Sequence, residues 1–243
     1  MMQLDRYSKS GLAIAMLVLT AGFTEVWAPV AMAQFGSPPG QGRPKGTAGG
    51  GSRPGQPFCL QRAGSRESLL AMAPNGTVGL TATATPTLWV YVPETTARML
   101  EFSVFDEQQE GIYQINIPIR SSGLLKLTLP TQSIHLRPGR AYAWTVALVC
   151  DPNQRSKDWL AEGFIQYQLP TAEMQARLAQ ASIAQQVTLY IQAGFWYEAL
   201  NAYLQFQQTH PGHTSLLPLW NDLLAAAELG AIAPPLQQSE SMP

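Results

Sequence analysis

The stretch that decides the fold is residues 141–150, which read AYAWTVALVC. One face of this stretch would carry Tyr142, Trp144, Val146, Leu148 and Cys150, and the other face Ala141, Ala143, Thr145, Ala147 and Val149. Alternation with a period of two predicts a β-strand, and a strand that is apolar on both faces is typical of the centre of a sheet. We therefore expect this segment to be a central strand.

Shorter stretches of the same kind flank this strand on both sides. We predict strands at residues 77–82, 87–92, 99–106, 111–117, 124–129 and 160–169, separated by turn signals such as the Asn75-Gly76 pair. Short strands at this spacing predict an antiparallel β-sandwich of the immunoglobulin-like kind over residues 58–169.

Beyond Pro170 the apolar spacing becomes that of helices, with Thr171 as an N-cap. One group of residues is spaced as in a single tetratricopeptide repeat, namely Tyr190, Gly194, Trp196, Ala199, Leu200, Tyr203 and Pro211. Because one repeat cannot bury a continuous core, the helices of residues 170–232 should pack on the sandwich or on a partner. The predicted fold class is α+β, a sandwich followed by a small helical subdomain, with a disordered tail at residues 233–243.

The N-terminal segment predicts export. Residues 1–33 combine basic Arg6 and Lys9, an apolar run at 11–22 and a small-residue cleavage site ending at Ala33, which is the pattern of a signal peptide. The run is short for a bilayer span, so an uncleaved anchor is the less favoured alternative, and we expect no transmembrane span after cleavage. The predicted location is the periplasm or the extracellular space.

A linker and a disulfide fit that location. Residues 34–57 are rich in Gly and Pro and predict a disordered linker. Cys59 and Cys150 are the two cysteines of the chain, and in an exported protein they predict one disulfide. The alternative is that Cys150 is a buried free thiol.

Charge and motifs exclude several classes of protein. A net charge of −1 produces no positive electrostatic potential that would attract nucleic acid, so we exclude nucleic acid as a partner. The chain carries no phosphate-binding loop, no dinucleotide fingerprint and no nucleophile elbow, so we predict no cofactor. His210 and His213 are better read as loop residues than as metal ligands, and we predict no metal site.

The densest polar segment is residues 151–162, between two predicted strands. Asp158 and Glu162 could act as the acid and base of a glycan or wall-polymer hydrolase. A calcium loop fits poorly, because Arg155 would stand at a ligand position. The structural alternative is a connection in which Asp151 caps the turn and Arg155 pairs with Asp158 or Glu162, so that Asp151 and Arg155 are at most binding residues.

Two pairs of aromatic residues are further binding candidates. Trp89 and Tyr91 share one face of a predicted strand and could form an exposed platform for a glycan or a peptide. Trp196 and Tyr197 fall in the helical repeat and are the second pair of binding candidates. For both pairs, packing in the core is the competing interpretation.

Four segments together carry a resemblance to a known family. They are PTLWVYVP at residues 86–93, CDP at 150–152 followed by Arg155-Ser156, Glu162-Gly163, and AGFWYEAL at 193–200. As a set they resemble a cyanobacterial family of exported proteins called domain of unknown function 928. The resemblance implies an exported envelope protein with no assigned activity, and it supplies no substrate, cofactor or catalytic residue.

The sequence thus favours a non-enzymatic binding or scaffold module whose partner is another protein or an envelope polymer. The alternative function is hydrolysis of a glycan or wall polymer by the carboxylates of residues 151–162.

Overall fold

A computed structural model describes residues 59–60, 68–227 and 229 of the chain. The predicted signal peptide, the linker at 34–57 and the tail at 233–243 lie outside the described residues. The described part has a mixed α+β fold, in which eight strands form two open sheets and four α-helices follow them. The α+β class predicted from the change of apolar period is therefore confirmed.

The strands are β1 (Leu70–Ala71), β2 (Val78–Thr81), β3 (Thr87–Val92), β4 (Met99–Phe105), β5 (Gly111–Pro118), β6 (Gly123–Thr128), β7 (Ala141–Leu148) and β8 (Trp159–Tyr167). A 3-10 helix, Arg155–Lys157, lies between β7 and β8. The helices are α1 (Ala172–Gln180), α2 (Ile183–Gln192), α3 (Trp196–Thr209) and α4 (Leu217–Ala226).

The strand predicted as central lies inside the larger sheet. This large sheet has the order β2-β8-β7-β4-β5, and the small sheet has the order β1-β3-β6. The prediction that all strands pair antiparallel needs one correction, because β2 runs parallel to β8. No short turn joins these two strands, so nothing local imposes the antiparallel direction.

One apolar core cluster contains residues of both sheets. Leu88, Val90 and Val92 of β3 belong to the same apolar cluster as Leu100, Phe102 and Val104 of β4, and each is at most 3% exposed. The face of β7 that carries the large side chains, including Trp144 at 0% exposure, packs in the same cluster. The face of β7 that carries the small side chains points away from it.

The helices pack on the sheets, as the incomplete repeat predicts. Trp89 and Tyr91, on the other side of β3, contact the apolar cluster formed by the helices. The α3 residue Tyr197 reaches the core, where its hydroxyl accepts a hydrogen bond from Trp144 Nε1 at 3.0 Å and donates one to the Phe164 carbonyl at 2.9 Å. Helix α3 is thereby fixed to both β7 and β8.

Two of the helices begin at capped N-termini, and the N-cap predicted at Thr171 is one of them. The Thr171 hydroxyl accepts the amide of Met174 at the start of α1, at 3.2 Å. Ser182 and Gln185 form a capping box at the start of α2.

The predicted disulfide is present. Cys59 and Cys150 are bonded, with their Cα atoms 5.3 Å apart. The Cys59 carbonyl also accepts hydrogen bonds from the Thr95 hydroxyl at 2.6 Å and the Thr96 amide at 2.8 Å. The bond therefore joins the end of β7 to a segment that is itself held beside the loop after β3.

Candidate functional site

A groove lies on the outer face of the large sheet, and we call it the outer groove. Its volume is about 740 Å³, and its floor is formed by the small residues Ser103, Ala143, Thr145 and Ala147. The β7 residues of this floor belong to the face of the strand that carries small side chains. Because the large side chains of β7 point into the core, the opposite face of the sheet has few atoms above the backbone and forms a depression.

Strand register arranges the floor in three rows. The middle row is polar and crosses four strands, with Gln114, Ser103, Thr145 and Glu162 as successive neighbours. One flanking row ends in Leu160, which is 40% exposed. The other contains Phe105, Ala143 and Phe164. The groove therefore offers hydrogen-bonding groups along its middle and an apolar row on one side, while the row on the other side runs from Leu160 and Ala147 to the carboxylate of Glu101.

One end of the groove carries a charged network. Arg155 donates two hydrogen bonds to Glu101, at 3.1 and 3.2 Å, and one to Asp158 Oδ2. Hydrogen bonds from these two carboxylates, that of Glu101 first, raise the pKa of the Arg155 guanidinium above its ordinary value. Arg155 stays 47% exposed, so its planar group is accessible from the groove.

Asp158 has a structural role in this network. Its side chain is 4% exposed, Oδ1 accepts the Cys150 amide at 3.1 Å, and Oδ2 accepts Arg155 Nε. The same connection contains the turn cap expected of Asp151, whose Oδ1 accepts the Asn153 amide at 2.9 Å. Both oxygens of Asp158 are thus engaged in holding the β7–β8 connection.

The structure brings together some of the predicted site residues and separates others. Asp158, Glu162 and Arg155 all line the outer groove. Trp89 is 3% exposed and its Nε1 lies 3.4 Å from Asn201 Oδ1, so it packs under the helices and does not form an open platform.

The second aromatic pair is also internal. Trp196 and Tyr197 are each 1% exposed, and Trp196 Nε1 donates to the Met72 carbonyl at 2.9 Å. These contacts fit the packing interpretation of the pair.

A second polar cluster lies between α3 and β2, and the sequence analysis did not single it out. The Thr81 hydroxyl donates to Glu198 Oε1 at 2.6 Å. Glu198 Oε2 is out of contact with solvent and has no hydrogen-bond partner within the described part of the chain. Burial raises the pKa of Glu198 to about 7. The feature of the sequence that could have indicated this cluster is Glu198 itself, a lone acidic residue in the otherwise uncharged run FWYEALNAYL at residues 195–204.

The polar middle row was also missed, because its members come from four different strands. The signal that could have indicated it is the small face of residues 141–149, which marks a sheet surface without large side chains.

The described residues contain neither a cluster of metal ligands nor a helix that could span a membrane. Within the ranges that the structure describes, no three His, Cys, Asp or Glu side chains are grouped so that they could hold a metal ion. None of the described helices combines the length and the apolar character needed to cross a bilayer.

The fold and the groove define a class, an α+β protein whose larger sheet carries an open groove with a polar floor. Residues 48–236 match the family described as Domain of Unknown Function (DUF928), and the chain belongs to that family. The family resemblance predicted from the sequence motifs is therefore confirmed. The cyanobacterial origin and the tetratricopeptide-like repeat stay predictions. None of the curated proteins is similar to this chain.

Proposed function

We propose that this protein is an exported envelope protein that works as a non-enzymatic binding module and holds an extended segment of another protein in the outer groove. The observation that carries the proposal is the floor of the groove. Four polar side chains in one row, with Phe105, Ala143 and Phe164 on one side and Leu160 on the other, suit a polypeptide that presents backbone amides and apolar side chains together.

A protein segment suits this surface better than a polymer of sugars. Sugar rings commonly pack on exposed aromatic faces, and Trp89, the strongest aromatic candidate, is 3% exposed beneath the helices. The charged end adds a recognition element, because Arg155 can offer its exposed guanidinium to a carboxylate of the partner.

The contacts of Asp158 argue against the hydrolase alternative. A general acid has to release and regain a proton at the bond that is broken, and it must reach that bond. Asp158 instead uses one oxygen for a backbone amide and the other for Arg155.

The strand order supports an immunoglobulin-like arrangement of the two sheets. In that fold strands A, B and E belong to one sheet and strands C, F and G to the other. Here β1, β3 and β6 form the small sheet, while β4, β7 and β8 are neighbours in the large one.

The antiparallel neighbours α2 and α3, with Gly194 at φ +77° between them, support the proposed tetratricopeptide-like pair and a helical subdomain that begins near residue 170.

Export is the remaining part of the proposal. Its support is the signal pattern of residues 1–33 together with the disulfide, a bond that persists in oxidising compartments. Identification of Gln34 as the N-terminus of the protein recovered from the periplasm or medium would support it. Recovery of a chain that still starts at Met1 would contradict it.

The groove is tested by filling it. Thr145→Arg places a long side chain on the middle of the floor, and Thr131→Arg makes the same change at an exposed turn outside it. Partners captured from the envelope fraction by the wild type and by the control should be lost from Thr145→Arg, provided that all three proteins melt alike. Capture of the same partners by Thr145→Arg would show that the groove is not the binding site.

A further inference from the structure

The charged side chains that line the outer groove are mostly acidic. They comprise three carboxylates, Glu101, Asp158 and Glu162, and one guanidinium, Arg155, so that the lining has a net charge of −2. Arg155 is hydrogen-bonded to two of these carboxylates, Glu101 and Asp158. A segment that fills the groove is therefore favoured by positive charge.

The disulfide places the chain that precedes Cys59 beside the charged end of the groove. Cys59 is bonded to Cys150, with their Cα atoms 5.3 Å apart. The Cys150 amide donates to Asp158 Oδ1 at 3.1 Å, and Oδ2 of the same carboxylate accepts from Arg155. One side chain thus connects the disulfide to the charged network of the groove.

The segment before Cys59 has the charge that complements this groove. Residues 34–57 contain Arg43, Lys45 and Arg53 and no acidic residue. The C-terminal tail at 233–243 has the wrong sign, because it contains one acidic residue and no basic one. Of these two segments of the chain, charge selects the N-terminal one.

This segment is also long enough to reach the groove and cross it. An extended chain covers about 3.3–3.6 Å per residue, so the stretch from Arg53 to Cys59 reaches roughly 20 Å. The polar row of the floor crosses four strands, whose spacing of about 4.8 Å makes the row roughly 14 Å long. Residues 43–53 exceed that length, since they cover about 30 Å at 3.1 Å per residue.

We propose that residues 43–53 of this chain occupy the outer groove when no partner is bound, with their basic side chains near the carboxylates of the lining. Because the segment belongs to the same chain, its effective concentration at the groove is on the order of millimolar, and weak contacts are sufficient.

Occupation by this segment regulates the groove. This regulation rests on the proposed function, because a partner segment has to displace residues 43–53 before it can bind. A partner carboxylate that binds Arg155 makes a contact that residues 43–53 cannot make, since they contain no acidic residue. The groove therefore favours a partner with such a group over its own segment.

Charge reversal tests the proposal in the isolated, disulfide-bonded protein. The triple variant combines Arg43→Glu, Lys45→Glu and Arg53→Glu. The amide NMR signals of Ser103 and Thr145, on the floor of the groove, should shift relative to the wild type because the segment leaves the groove. A synthetic peptide of residues 41–56, added in excess to the triple variant, should move these signals back towards their wild-type positions.

The matched control changes the same segment without changing its charge. It combines Thr47→Ala, Ala48→Ser and Ser52→Ala, and its floor signals should stay at the wild-type positions. Floor signals that are identical in the wild type and the triple variant overturn the proposal, and so do equal shifts in the control. Wild-type signals that move on dilution also overturn it, because they would assign the groove to a second copy.

These measurements need no partner, so their result is independent of the capture experiment with Thr145→Arg. If that experiment contradicts the proposed function, the NMR signals still decide whether residues 43–53 occupy the groove. If it identifies a partner, the triple variant should bind this partner more tightly than the wild type does. Weaker binding by the triple variant would contradict the competition.

Discussion

At the scale of the residue, two glycines explain how large aromatic side chains fit between the sheet and α3. A Cβ atom at Gly163 would lie 2.5 Å from the Trp144 ring, and one at Gly79 would lie 2.8 Å from the Tyr197 ring. Real Cβ atoms do not approach other atoms so closely. These rings therefore reach the backbone itself, and the space that they need is made by the absence of a side chain.

Glu198 gives the stability of this protein a pH dependence. Its ordinary pKa is 4.5, and burial raises it to about 7 in the folded protein, where Tyr190 and Tyr197 are the other titratable groups that interact with it. Between these two values the folded chain holds a proton that the unfolded chain has lost. The free energy of unfolding should thus fall as the pH rises from 4.5 to 7 and level off above it.

We predict that Glu198→Gln removes this dependence. A neutral amide can still accept the Thr81 hydroxyl, and it avoids a buried charge whose cost is at most on the order of 3 kcal/mol, from about 1.4 kcal/mol per pKa unit. Urea unfolding at about pH 5 and about pH 8 measures the effect, with Glu173→Gln on the exposed face of α1 as the control. If the wild type and Glu198→Gln lose equal stability between these pH values, another group is responsible.

At the scale of the element, the four helices are attached to the sheets to different degrees. Helix α1 has no buried residue, whereas eight residues of α3 are buried. The Tyr197 hydroxyl adds two buried hydrogen bonds, one to β7 and one to β8. Helix α3 is therefore the element that joins the helical part to the β part.

Tyr197→Phe tests that role. The change keeps the ring but leaves Trp144 Nε1 and the Phe164 carbonyl buried without this partner, which should cost about 1–3 kcal/mol. Thr171→Ala removes the α1 cap for comparison and should cost about 1 kcal/mol or less, because that helix is exposed. Thermal unfolding followed by near-ultraviolet circular dichroism compares the two. If Tyr197→Phe and Thr171→Ala lose equally little stability, the Tyr197 hydroxyl contributes nothing to the attachment of α3 to the sheets.

The alternation of side chains along the sequence predicts where strands lie, but it does not predict how they pair. Alternation is a property of neighbouring residues, so the strands at 87–92 and 99–106 were predicted nearly to their ends. It contains no information on direction or register, which hid the parallel β2–β8 pair and the polar row of the groove. The two residues of β1 are too few to show a period. Asp158 and Glu162 were found because both belong to one local segment.

At the scale of the whole molecule, the helices attach to the β part in two ways. Trp196 and Tyr197 of α3 belong to the core cluster that contains residues of both sheets, whereas other helix residues pack on Trp89 of β3. The outer face of the large sheet carries the groove on the side away from this core.

The disulfide acts on the whole molecule, because it closes a loop of 91 residues that contains every strand from β1 to β7. In the chain-entropy model such a loop contributes roughly 4–5 kcal/mol, and removal of native disulfides commonly costs 2–5 kcal/mol. We predict that Cys59→Ser with Cys150→Ser lowers the free energy of urea unfolding by about that amount, 2–5 kcal/mol. Wild-type protein unfolded with a reductant should match the double variant, since both lack the same constraint. A double variant as stable as the oxidised wild type would show that the hydrogen bonds from Thr95 and Thr96 to the Cys59 carbonyl already hold this segment in place.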